Sequence, residues 1–249
     1  MKIRLRLASK IRKLDLKNSK FPDVKDGRSS SGLIFPSIRP SFKLNKGSKI
    51  LTMGSCFARN IEEFIEKDFI VPAMDFKAPE EEYKGRSNRI LNEYNPGTMS
   101  QRLLWASEGL DTSKIDGYIG DDSSFSDLLI NGQIKVSKER LLQRRKDIDS
   151  VYSHLNSSSV MIITLGLVEC FYDNENDLFL NKMPSPKLSK KFPGRFSLRV
   201  LNVANSFNLL SKSFKAAFDV GLEKILLTVS PVPMQVTFTG DDCVIANQY

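Results

Sequence analysis

Ile50-Leu51-Thr52-Met53-Gly54-Ser55-Cys56-Phe57-Ala58 is the stretch that decides the fold of this chain. Its first four residues, with Lys49 before them, form a short apolar run that predicts a buried strand. The Gly54-Ser55 pair breaks the run. Residues 57–67 then carry Phe57, Ile61, Phe64 and Ile65 at helical spacing, which predicts an amphipathic helix. A strand that stops at Gly-Ser and feeds a helix holds a serine hydroxyl out of the sheet. There it lies beside helix-start N–H groups able to stabilise an oxyanion. The same residues also make an ordinary strand-to-helix turn with Ser55 as its cap.

Outward from this stretch, two more apolar runs read as strands, Val160 to Thr164 and Lys224 to Val229. Each ends in small or turn-forming residues, Leu165-Gly166-Leu167 after one and Ser230-Pro231-Val232-Pro233 after the other. Phe69-Ile70-Val71 is a short predicted strand ended by Pro72, and Lys77 to Ser87 is a polar loop. Pro96 to Leu110 reads as a helix with Pro96 in its first turn and Met99, Leu103, Leu104 and Ala106 at helical spacing. Ile130-Asn131-Gly132-Gln133-Ile134 carries a hairpin signal. Ser137 to Leu155 predicts a charged helix capped by Ser137. Residues 171–195, with Pro184, Pro186 and Pro193, read as an insertion. Ser197 to Val220 predicts a long helix stopped by Gly221. Alternating strands and helices imply an α/β domain with a mostly parallel sheet, whose sites form at the carboxyl ends of its strands. Three such ends with small residues together point to a site, although tight α/β turns give the same pattern.

Composition narrows the function classes. The chain has 249 residues, 41% hydrophobic, with a formal charge of +8. The excess is local. Residues 1–46 hold thirteen Lys/Arg against three Asp (+10), and the remainder twenty-four basic against twenty-six acidic residues (−2). Residues 1–46 therefore read as a basic arm, broken by Ser29-Ser30-Ser31-Gly32 and by Pro22, Pro36 and Pro40, and residues 47–249 as one domain. The arm is a solubilising tail or a contact to an anionic surface or partner. Charge confined to it argues against a specific nucleic-acid groove across the fold. No run approaches the ~18 apolar residues of a membrane span, and the basic start lacks the apolar core of a secretory signal. Cys56, Cys170 and Cys243 have no metal spacing, and their odd count suits free thiols in a reducing cytoplasm. All three are expected to be buried; a thiol reaction at Cys56, at a helix start, is the alternative. Trp105 and Phe57 are expected in the core. Phe192 and Phe196, flanking Gly194-Arg195, read as loop anchors or an acceptor-groove lining. Nucleotide loops are absent, so neither cofactor nor metal is expected.

Three segments together resemble the GSCFA family, a remote relative of the SGNH/GDSL-type hydrolases. They are Gly54-Ser55-Cys56-Phe57-Ala58, Thr164-Leu165-Gly166-Leu167-Val168-Glu169 and Leu227-Thr228-Val229-Ser230-Pro231-Val232-Pro233. Tyr94-Asn95-Pro96 and Ala246-Asn247-Gln248-Tyr249 add to the resemblance, which covers roughly residues 47–249. It implies a three-layer α/β/α sandwich of the flavodoxin-like type, with Ser55 where SGNH enzymes carry their nucleophile. The implied activity is that of a serine esterase or O-acyltransferase acting on a carbohydrate. The oxyanion or substrate contacts would come from the N–H of Ser55 or Cys56, from Asn95, and from the block Gly166 to Glu169. In that block Val168 stands where SGNH enzymes have Asn. For Asn95 an Asx turn into the helix is equally expected, and for Glu169 a structural bond within its loop. Serine catalysis needs a base, yet the SGNH Asp-x-x-His pattern is absent. The only histidine, His154, is expected at the opposite end of the sheet. The base is therefore expected from a segment beyond residue 249, with this chain a C-terminally incomplete domain that is inactive alone. The competing expectation is a non-catalytic α/β binding module in polysaccharide biosynthesis or surface assembly.

Overall fold

The computed structural model describes residues 21–246, other than 24, 31, 39, 84, 122, 132, 133 and 231. The chain divides into two units, Met1–Leu44 and Asn45–Tyr249. The described part of the first holds two short antiparallel strands, β1 (Ser29–Ser30) and β2 (Leu33–Ile34).

The second unit is a mixed α/β fold. In chain order it comprises β3 (Ile50–Met53), α1 (Cys56–Ile65), α2 (Pro72–Asp75), α3 (Pro96–Glu108), β4 (Tyr118–Gly120) and β5 (Phe125–Asp127). There follow α4 (Lys138–Tyr152), β6 (Val160–Leu165), β7 (Glu169–Asp173), β8 (Leu178–Leu180) and α5 (Pro186–Lys191). The last elements are β9 (Phe196–Val200), α6 (Val203–Asp219), β10 (Ile225–Val229) and α7 (Cys243–Ala246). The three apolar runs pair with one another in a parallel sheet of order β10-β6-β3. Register is fixed by Met53 opposite Ile163 and Val229 opposite Leu165. All three strands therefore run out at the same edge.

Local chemistry sets the helix starts. Asn95 Oδ1 accepts from Thr98 N at 2.9 Å, Pro96 fills the first turn of α3, and Gly109 ends it at φ 63°. Ser137 caps α4, and Asn202 and Asn205 form a reciprocal box on α6. The main core joins Leu51, Met53, Met161 and Ile163 of the sheet to Met99 and Leu103 of α3, Ile148 of α4 and Leu210 of α6. Trp105 is half-buried against a second cluster, Leu128, Leu129, Leu178 and Leu180. No helix of the described residues is long and apolar enough to cross a membrane.

Four expectations are corrected. The Phe69-Val71 strand reduces to one parallel bridge, Lys49 with Ile70, because Pro72 opens α2 at once. Residues 171–195 are no loose insertion: β7 pairs antiparallel with β8 and β9. Residues 197–200, expected as helix, belong to β9, and α6 begins only at Val203. Phe196-Ser197-Leu198-Arg199-Val200 alternates with period two and finds a partner in β7, which outweighs its continuity with the helix. The apolar stripe expected inside α1 is not its buried face. Phe64 is 72% exposed, Phe57 and Ile61 are half-buried, and the buried residues are Ala58, Arg59 and Glu62. The predicted hairpin tip at Gly132-Gln133 lies outside the described residues.

Candidate functional site

Parallel pairing places Gly54, Gly166 and Ser230 next to one another at the carboxyl edge. Ser230 N donates to Leu165 O at 2.7 Å, and Leu167 N donates to Tyr94 O at 3.0 Å. Glu93 N donates to Gly54 O at 3.0 Å, so the 93–95 turn joins the same rim. Gly54 has φ +149°. A Cβ there would lie 3.0 Å from both Cβ and O of Thr164 and 3.1 Å from Cβ of Ala58. Only glycine allows the turn to press this closely against β6.

Ser55 is half-buried at the cap of α1, and its Oγ accepts from Phe57 N at 3.5 Å. That bond is at the limit of hydrogen-bond geometry. Asn95, Asn202, Ser137 and Ser185 cap their helices at 2.8 to 3.2 Å. The Ser55 hydroxyl is thus the most loosely held of these caps. The backbone N–H groups of Ser55, Cys56 and Gly166 donate to no carbonyl among the described residues. They are the donors this rim offers to a developing negative charge.

The other predicted site residues divide between the rim and structural bonds. Gly166 is exposed, near Tyr94 O and Ser230 Cβ. Asn95 is buried and its Oδ1 is committed to the cap, which leaves Nδ2 as its donor. Glu169 is buried, with Oε1 accepting from Thr237 Oγ1 at 2.5 Å and Oε2 from Phe238 N at 2.8 Å. Both oxygens thereby anchor the segment that follows β10. His154 meets Lys49 Nζ through Nδ1 at 3.1 Å. Lys49 precedes β3 and Ser55 follows it, so the imidazole is at the opposite sheet edge. Burial and the adjacent Lys49 charge hold its pKa below the usual range. No group of His, Cys, Asp and Glu that could hold a metal ion assembles among the described residues.

Two neighbours of Asn95, Glu93 and Tyr94, were given no site role from sequence. Tyr94 has a half-buried hydroxyl that accepts from Asn131 Nδ2 at 2.8 Å and Asn92 Nδ2 at 3.3 Å. Its pKa is raised, first by burial and also by the field of Cys56. Glu93 is buried, its Oε1 3.4 Å from Arg102 Nε, and burial raises its pKa despite that cation. The dense polar run Asn92-Glu93-Tyr94-Asn95 before a helix-starting proline is the signal that marks both. Beneath the rim, Arg59 and Glu62 form a fully buried pair at 3.0 Å. Thr52 Oγ1 donates to Glu62 Oε1, and Asn88 Nδ2 donates to Oε2 at 2.8 Å. Burial pushes the Glu62 carboxyl above its ordinary range, offset in part by Arg59.

Of the three thiols expected to be buried, only Cys170 is fully so. Cys170 is buried and its pKa is pushed up to about 12, mainly by burial. Cys243 is partly buried, and Cys56, the first residue of α1, is exposed. Brief iodoacetamide treatment of the folded protein at pH 8 is expected to alkylate Cys56 and spare Cys170, read by peptide mass mapping. Equal modification of the two would contradict the described burial.

The model of the GSCFA family matches residues 49–249. No match was found among the curated proteins or the solved structures.

Proposed function

We propose acyl transfer through Ser55 as the function of this chain, which belongs to the GSCFA family. In this reading the protein is an SGNH-like esterase or O-acyltransferase acting on a carbohydrate, and helices on both faces of the parallel sheet complete a three-layer sandwich. The observation that carries it is the loosely held Ser55 hydroxyl on a rim with three uncommitted N–H groups. The hydroxyl attacks the acyl carbon of an ester, and the carbonyl oxygen gains negative charge near the rim donors. The alkoxide of the first ester leaves and takes a proton. Water or a sugar hydroxyl then attacks the seryl ester, and Ser55 regains its proton. A base must accept the Ser55 proton, and the described residues place none beside it.

A serine-directed fluorophosphonate is expected to label the protein at Ser55, and Ser55→Ala to lose at least 100-fold of that labelling. Equal labelling of the variant, or no labelling of the parent, defeats the proposal. A second reading, a carbohydrate-binding module without chemistry, is favoured by Ser55 itself, whose Oγ donates to no base among the described residues.

A further inference from the structure

Away from the rim, a cleft of about 450 Å³ opens between the β4–β5 hairpin and the segment 182–191. Its walls carry Lys135, Lys182, Lys187 and Lys191, with Ser126 and Leu188 between them. None of the four lysines makes an ion pair among the described residues. Lys182 is half-buried and gives its Nζ to Ser126 Oγ at 2.9 Å, a neutral partner. Lys191 lies 5.4 Å above the Phe192 ring. Asp121, the acidic lining residue among those described, accepts from the N–H groups of Ser123 and Ser124. Three arginines of this unit, by contrast, sit with carboxylates: Arg140 with Glu82, Arg145 with Asp127, Arg195 with Asp173. Four cations without an ion-pair partner among the described residues stand around one concavity, offset in part by Asp121 near Lys135 and Asp127 near Lys182, and an anionic ligand reduces their mutual repulsion.

We propose that this cleft binds the acidic groups of a sugar chain, carboxylate or sulfate, and so defines the substrate class of the acyl-transfer reading on which the inference rests. The volume lies within the roughly 300–1,000 Å³ of small-ligand sites, enough for a short stretch of chain. No aromatic side chain lines the cleft, so it lacks the stacking platform that single-stranded nucleic acid uses. Ammonium groups and serine hydroxyls instead match ring acids and hydroxyls. The cleft is also tied to the rim. Asn181, next to Lys182, donates to the carbonyl of Asn92, two residues before Tyr94. Burial, with Arg144 near it, holds the Lys182 pKa below its usual value although Asp127 acts against them; an arriving anion acts in the same direction as Asp127.

Titration calorimetry on the full-length protein tests this with tetragalacturonate for carboxylate, a sulfated tetrasaccharide for sulfate, and maltotetraose and tetrathymidylate as controls. At least one acidic oligosaccharide is expected to bind, more weakly as salt rises, and the tighter arm names the acid. Lys187→Gln with Lys191→Gln, both exposed, is expected to weaken binding at least tenfold, and Lys182→Met likewise. Thermal melts of each variant establish folding. Binding by neither acid, parental affinity in the Lys187/Lys191 variant, or equal affinity for either control overturns the proposal. Fluorophosphonate labelling of Ser55 is scored on the same samples. Acid binding without labelling leaves the cleft standing and removes acyl transfer; labelling without acid binding does the reverse.

Discussion

Replacing Arg59 by leucine is expected to cost roughly 3–5 kcal/mol of folding stability at neutral pH, the range for removing one partner of a buried ion pair. Arg59 and Glu62 have side chains 1% and 0% exposed, so no solvent compensates the carboxylate left behind. Thr52 and Asn88 still donate to Glu62, which keeps the side chain in place with its charge unopposed. The sign of the pH dependence follows. Burial already raises the Glu62 pKa in the folded protein, and loss of Arg59 raises it further. Below the ordinary carboxylate range both folded and unfolded chains hold the proton, and Glu62 contributes no penalty. Above that range the unfolded chain releases the proton first, so the variant loses stability as pH rises through the folded-state pKa. Urea unfolding of parent and variant across pH 4 to 8 should show a difference that grows with pH. A difference below about 1 kcal/mol, or one indifferent to pH, would mean that Arg59 does not balance Glu62.

A loss of similar size is expected from Arg145→Met. Arg145 of α4 donates from Nε to Asp127 Oδ2 at 2.7 Å and from Nη2 to Oδ1 at 2.9 Å. Its Nη1 donates to the carbonyls of Thr112 and Ile115. One planar guanidinium thereby joins α4, β5 and the 112–115 turn, with both side chains of the pair almost fully buried. Methionine fills much of the volume and satisfies none of these acceptors. Roughly 3–5 kcal/mol is expected to be lost, which lowers the melting temperature by about 6–20 °C for a unit of this size. Arg145→Lys should recover little, because a lone ammonium cannot span both carboxylate oxygens and two carbonyls. Thermal melts followed by circular dichroism decide the matter, and full stability of the lysine variant would show that charge alone suffices.

The sequence made the frame of the sheet legible because its three parallel strands are continuous apolar runs; β3 and β6 are buried almost throughout, whereas β10 leaves Leu226, Leu227 and Val229 exposed and was legible from its apolar run alone. The rim was legible for the same reason: Gly54, Gly166 and Ser230 each follow a run directly. Helix starts at Asn95 and Ser137 were legible because capping is local chemistry. The partners of charges were not. Arg59 and Glu62 look like solvent-facing residues of a helix, and only the distant Thr52 and Asn88 make their burial tolerable. Phe196–Val200 was hidden likewise, since its pairing partner in β7 lies beyond any local window. Ser55 shows the limit on the functional side: its motif places the hydroxyl, but a long cap bond is visible only in three dimensions.

The rim draws its members from positions 54, 166 and 230, which meet only through the parallel register of β3, β6 and β10. Such a rim has high contact order: no segment of the chain can assemble it alone, and its loop-closure entropy is met only when the sheet is whole. Partial opening that detaches β10 would dismantle it while leaving Asp127, Arg145 and the lysine cleft in place. The site at this edge is therefore a late reporter of folding, gained with the last strand and lost with the first local opening.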